Sequence, residues 1–215
     1  HTPQSRRAFR FILFVTWCYQ GLYRGGEGAS GNAFDPVKHL CCSDPRIADG
    51  GRVLVVRNPE LKVRSLEASR TPFPFPVDAG DDLCFGWWYT QRDAFDPLDA
   101  GEVASITPLF RDPTRCDPLT GRPACLSYDD ALKTLRDCIA AVLPGADPSL
   151  YGLHSLRIGA ASALFALNCP PLVLQSLGRW QSDIYELYCR ANRAQLVQWT
   201  SRIGTAQYTT LEEMA

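Results

Sequence analysis

One stretch of this chain reads as a regular strand and the next extended stretch is interrupted by proline, so any sheet it forms must be small. The run from Arg52 to Arg57 (Arg-Val-Leu-Val-Val-Arg) is β-branched and bounded by Gly50-Gly51 and Asn58-Pro59. Arg70 to Val77 is also extended, but Pro72, Pro74 and Pro76 fall at alternate positions and remove ladder donors. It cannot be a central strand, and helices must supply most of the fold.

Helical spacing is clear elsewhere. Phe9, Leu13, Trp17 and Gln20 lie near a helical period between Pro3 and about Tyr23, with Pro3 suited to a first turn. Further helices are expected over 128–142, ending at Pro144-Gly145, then near 154–167 and about 171–177. Asp183-x-x-Glu186 resembles a capping box opening a last long helix toward Ile203. Residues 78–127, rich in Asp, Pro and Gly, read as loop with short helices, one of them around 83–89. The expected fold class is mainly α with a small antiparallel β-sheet near the N-terminal third.

Composition bounds the rest. The 215 residues, 46% hydrophobic and 21% charged, suffice for one core and one domain, or two small ones at most. Apolar runs such as Phe11 to Val15 are far short of the ~20 residues a membrane span needs, so no membrane partner is expected. The chain starts at His1 rather than Met and reads as an excised domain. Nine cysteines, an odd number with no C-x-x-C spacing, suit reduced thiols in an intracellular protein. With three histidines (His1, His39, His154), a zinc site is not expected. Nineteen of the 22 basic residues are Arg, a skew that compositional bias explains.

The net charge of −1 hides a division along the chain. Residues 1–24 carry four Arg and no acid, while 37–76 and 150–204 are each +3. Residues 78–130 hold eleven acids against four Arg, giving −7. Basic stretches flanking an acidic insert can fold into one positive face. The acidic segment is then expected to face away from a polyanionic partner, with binding that weakens as salt rises.

Four local patterns carry polar chemistry. Arg24 and Glu27 stand three apart after the apolar first helix, where a solvated ion pair is the ordinary reading. Lys62 lies in Asn58-Pro-Glu-Leu-Lys62-Val-Arg64, between the extended stretches. His154-Ser-Leu-Arg157 puts two polar side chains on one helix face. The fourth is Leu177-Gly-Arg-Trp180-Gln-Ser-Asp183-Ile-Tyr185-Glu-Leu-Tyr188, whose aromatics equally suit a core.

In this order, Arg, hairpin Lys, His-x-x-Arg, Gly-x-Trp and a later Tyr, the patterns resemble the catalytic domain of tyrosine recombinases, the integrase family. The wording His154-Ser-Leu-Arg157-Ile-Gly-Ala-Ala followed by Leu177-Gly-Arg-Trp180-Gln-Ser-Asp183 looks most like the recombinases of eukaryotic mobile elements. The resemblance spans about residues 5 to 204, within an expected domain of 1–204 followed by a tail of 205–215. The N-terminal helical domain with which such enzymes clamp DNA lies outside it.

The resemblance implies that Arg24 and Arg157 are the catalytic arginines, Glu27 the acid that follows the first, Lys62 the hairpin lysine and His154 the central histidine. Trp180 stands where many members carry His and some carry Trp. Tyr188 matches the nucleophile, with a Trp-to-Tyr spacing one residue shorter than the commonest form, and Tyr185 is a second candidate on the same helical face. These types suit phosphodiester cleavage. Forked guanidiniums offset charge building on the phosphorane oxygens. His154 can accept the phenol proton, Lys62 can protonate the departing 5′ oxygen, and the Trp180 indole can donate.

The implied product is a 3′-phosphotyrosyl bond that keeps its energy for attack by another 5′ hydroxyl, so no ATP, metal or other cofactor is implied. The implied partners are double-stranded DNA and further copies of the chain, as a tetramer, in the nucleus if the source is eukaryotic. Other readings of the same residues are a degenerate remnant that binds DNA without cutting, a type IB topoisomerase, and a helical protein-interaction domain. The recombinase reading requires Arg24, Lys62, His154, Arg157, Trp180 and Tyr188 to converge on one open surface.

Overall fold

The computed structural model describes residues 2–59, 72–116, 121 and 123–189. Helix α1 (Pro3–Gln20) begins with Thr2, whose side chain accepts the Ser5 N–H, and with Pro3 in the first turn. Its buried face carries Phe9, Leu13, Phe14 and Trp17, which the helical period places together. Trp17 is fully buried and stacks on Tyr23 at 3.9 Å between ring centroids.

Strands β1 (Arg46–Ala48), β2 (Val53–Val56) and β3 (Phe73–Pro76) form an antiparallel sheet in that order. Leu54 pairs with Phe75 and Val56 with Phe73, so Leu54, Val56 and Phe75 reach the α1 core. Pro74 and Pro76 are exposed, and β3 is an edge strand as the alternate prolines require. Strand β1 carries no alternating pattern; Arg46 and Ile47 are both exposed. Lys62 lies outside the described residues.

Between 78 and 127 the structure departs from expectation. Short helices are present, α3 (Phe85–Thr90) and α4 (Arg92–Phe95), following the four-residue α2 (Gly25–Gly28) in chain order. The segment also holds an antiparallel pair, β4 (Arg111–Cys116) with β5 (Pro123–Cys125), in place of the expected loop. The sequence of β4, Arg-Asp-Pro-Thr-Arg-Cys, hides its nature because it opens on two buried charged residues, Arg111 and Asp112. Arg10 meets Asp96 at 2.7 Å, and Arg111 meets both Asp96, at 3.1 Å, and Glu102. Arg6 adds a pair with Asp99 at 2.9 Å. Much of the acidic insert is thus neutralised against α1 and β4.

Helices α5 (Tyr128–Val142), α6 (His154–Ala166) and α7 (Pro171–Gly178) fall where the periodicity places them. A second core joins Leu22 to Ala160, Ala161, Leu174 and Trp180, with Tyr185 and Tyr188 packed on it. The expected capping box does not form. Residues Asp183–Leu187 make a 3₁₀ helix whose cap position is Ser182, with no side-chain cap. The rest of the expected last helix and the tail lie outside the described residues. Among the described residues helices dominate and the sheets are small and antiparallel; no helix is long and apolar enough to cross a membrane.

Candidate active site

The site forms where the C-terminal end of α1 meets α6 and the turn after α7. Helix α1 stops at Gly21, and Leu22 then takes a left-handed backbone conformation (φ 49°) that redirects the chain toward Tyr23 and Arg24. The Arg24 main-chain N–H donates to Glu27 Oε2 at 2.8 Å, and its guanidinium reaches Glu27 Oε1 at 3.3 Å. The solvated pair expected here is in fact half-hidden, since Glu27 is buried while Arg24 remains 38% exposed. Glu27 therefore anchors the loop and leaves Arg24 facing outward.

On α6, His154 and Arg157 share a face, but their environments differ. His154 is exposed, whereas Arg157 is only 1% exposed. The Arg157 guanidinium donates to the Leu22 carbonyl and, at 2.6 Å, to the Gly178 carbonyl. Its centre lies 4.5 Å from the Trp180 ring centroid and 5.6 Å from that of Tyr188. The Tyr188 ring also packs edge-on to His154 at 5.2 Å and against Trp180 at 5.1 Å. The Ser162 hydroxyl ties this segment to α6 by donating to the Tyr188 carbonyl at 3.0 Å.

Gly178 is what lets Trp180 fold over the end of α7. A Cβ on Gly178 would come within 1.9 Å of the Trp180 ring. Two groups there are buried without a hydrogen-bond partner, Trp180 Nε1 and Arg157 Nε. Unpaired buried donors are costly, so both are suited to an acceptor supplied from outside.

Of the six expected residues, Arg24, His154, Arg157, Trp180 and Tyr188 gather here, and Lys62 lies outside the described residues. The expected open surface is corrected by burial: Arg157 lies beneath the Trp180 and Tyr188 rings. Tyr185 is placed differently from Tyr188. Its ring is 6.3 Å from Trp180, and partial burial followed by the Glu186 and Asp183 carboxylates raises its phenol above the ordinary value.

The electrostatics are those of clustered cations. Burial, then the Arg179 and Arg24 charges, press Arg157 down to about 10, still charged at neutral pH. Partial desolvation of its ring, then Arg157 and Arg24, hold the otherwise exposed His154 below the usual imidazole range, which favours the neutral form.

Sequence reasoning does not single out Arg179. Its guanidinium stacks on Tyr23 at 3.9 Å and donates to the Gly21 and Leu22 carbonyls at 3.0 and 3.1 Å. The one signal is its position after Gly178 at the end of an apolar helix, a place for glycine or asparagine; the arginine-rich composition masks it. Among the described residues no group of His, Cys, Asp or Glu could hold a metal ion. No protein-family model and no curated protein matches this chain.

Proposed function

We propose that this chain is the catalytic domain of a tyrosine-recombinase-type enzyme that cleaves and rejoins double-stranded DNA through a 3′-phosphotyrosyl intermediate. The observation that carries this reading is the Tyr188 ring lying over the Arg157 guanidinium and against His154. A phenol placed beside arginines and an imidazole has what a weak nucleophile lacks: a base near its proton, and cations for the charge that develops on the phosphate it attacks.

The Tyr188 oxygen attacks phosphorus while its proton passes to His154. Arg24 and Arg157 offset the charge on the non-bridging oxygens, helped by the Trp180 N–H. The P–O5′ bond breaks and the departing oxygen takes a proton, a role that falls to Lys62. A second 5′ hydroxyl then attacks the phosphotyrosine and frees Tyr188, so bond number is conserved and no ATP is consumed. Strand exchange calls for a homotetramer on DNA. Because Arg157 is covered by the Tyr188 ring, Tyr188 must swing aside as the phosphate arrives.

One observation favours a second reading, DNA binding without cleavage. Both terminal nitrogens of Arg157 are already engaged by backbone carbonyls. Incubation with a nicked duplex that traps the covalent adduct, followed by denaturing electrophoresis, separates the two. The expected result is an adduct with the unaltered chain and with Tyr185→Phe, and none with Tyr188→Phe. An adduct that persists in Tyr188→Phe overturns the assignment of the nucleophile. DNA binding with no adduct in the unaltered chain establishes the second reading, and relaxation of supercoils without strand exchange makes the enzyme a topoisomerase.

A further inference from the structure

We propose that Arg179 is a positioning residue of the phosphate site: it grips the Leu22 carbonyl that Arg157 also grips, and so fixes the turn that presents Arg24. The inference rests on the phosphate-binding reading of this site. Two guanidiniums from different elements converge on one carbonyl, with Arg157 reaching it from α6 and Arg179 from the end of α7. Arg179 also spans the neighbouring Gly21 carbonyl and caps α7 by donating to the Leu177 carbonyl at 3.1 Å. Three carbonyls on two segments are thus held by one planar fork, a task lysine cannot copy.

The backbone supports the assignment. Arg179 has φ 55° and Leu22 has φ 49°, both in the left-handed region that non-glycine residues adopt at a cost. Glycine would close the end of α7 without that cost. An arginine there keeps the strain and adds a cation beside Arg157, although among the described residues no carboxylate pairs with either. Among the described residues, three guanidiniums (Arg24, Arg157, Arg179) have one carboxylate nearby, Glu27, which leaves an excess of two positive charges that a phosphate can balance. Arg179 does not need to touch the phosphate; it holds the Gly21-to-Arg24 turn against α6.

The test uses the full chain, inorganic phosphate as probe, and variants Arg179→Gly, Arg179→Lys and Arg157→Met. Phosphate is expected to raise the melting temperature of the unaltered chain and to have no such effect on Arg157→Met. Arg179→Gly is expected to melt below the unaltered chain even without phosphate, because relief of one left-handed residue does not offset three lost hydrogen bonds and the lost stacking on Tyr23, and to bind phosphate about tenfold or more weakly at temperatures where it is folded. Arg179→Lys is expected to fold and to recover only part of the affinity.

If the unaltered chain binds no phosphate, or if Arg157→Met binds as well as it does, the phosphate reading fails and this inference falls with it. If the unaltered chain binds and Arg157→Met does not, but Arg179→Gly or Arg179→Lys binds with unchanged affinity, the positioning role alone is overturned. Should Arg179→Gly fail to fold, Arg179→Lys decides: full affinity refutes the proposal and partial affinity upholds it.

Discussion

The molecule holds two clusters of buried and half-buried arginine, and they are completed in opposite ways. Beside the N-terminal half of α1, Arg10 and Arg111 meet Asp96 and Glu102, and Arg6 meets Asp99 nearby. Each of those cations has a carboxylate. Beyond the C-terminal end of α1, Arg157 and Arg179 are held by main-chain carbonyls, and Glu27 is the carboxylate that Arg24 finds. Carbonyl dipoles orient a guanidinium without neutralising it, so the second cluster keeps its charge. The first cluster joins an acidic insert to a helix; the second is left with positive charge, which is what the proposed phosphate site builds on. On that proposal, an arginine's partner type, more than its burial, separates a structural role from a binding one.

The contrast breaks most visibly at Asp96. Asp96→Ala leaves Arg10 and Arg111 buried without their shared partner, and the expected loss is about 3–5 kcal/mol of unfolding free energy, measured by denaturant titration. A loss below about 1 kcal/mol would show that the N-terminal cluster is not a matched network.

Arg157→Met sharpens the other side. It removes an uncompensated buried cation, so stability is expected to hold or rise, while covalent adduct formation on nicked DNA falls by about 10²–10³-fold. A variant that loses stability as Asp96→Ala does, with adduct formation intact, would erase the distinction between the clusters.

The smallest effect concerns pH. The folded-state value of His154 is depressed, so the unfolded chain binds the proton more tightly in the interval below the usual imidazole value of about 6.5. Stability from this residue is fully present above that value and declines as pH falls through the interval toward the depressed one. His154→Gln is expected to flatten this slope in melting curves taken from neutral to acidic pH. An unchanged slope would show that neither desolvation nor the neighbouring cations depress His154.

Local rules make much of the fold legible in the amino-acid order. The 3.6-residue period of Phe9, Leu13 and Trp17 marks α1, and alternate prolines put Phe73–Pro76 at a sheet edge. The His154–Arg157 spacing places both residues on one helix face. These features depend on neighbours a few residues away, so the order of residues determined them by itself.

Tertiary structure alone decided what each arginine became. Arg10 finds Asp96 across 86 residues, and Arg157 finds the Leu22 carbonyl across 135. Strand β4 is another such case, since its buried Arg111 can sit inside the fold only once Asp96 and Glu102, on the preceding segment, are in place. A guanidinium has five donors that a carboxylate or a carbonyl can accept, and although the carboxylate is the stronger partner, the local sequence does not supply one at every position. Which of them it meets, and so whether its charge is cancelled or kept, is set by chain segments that approach one another only on folding.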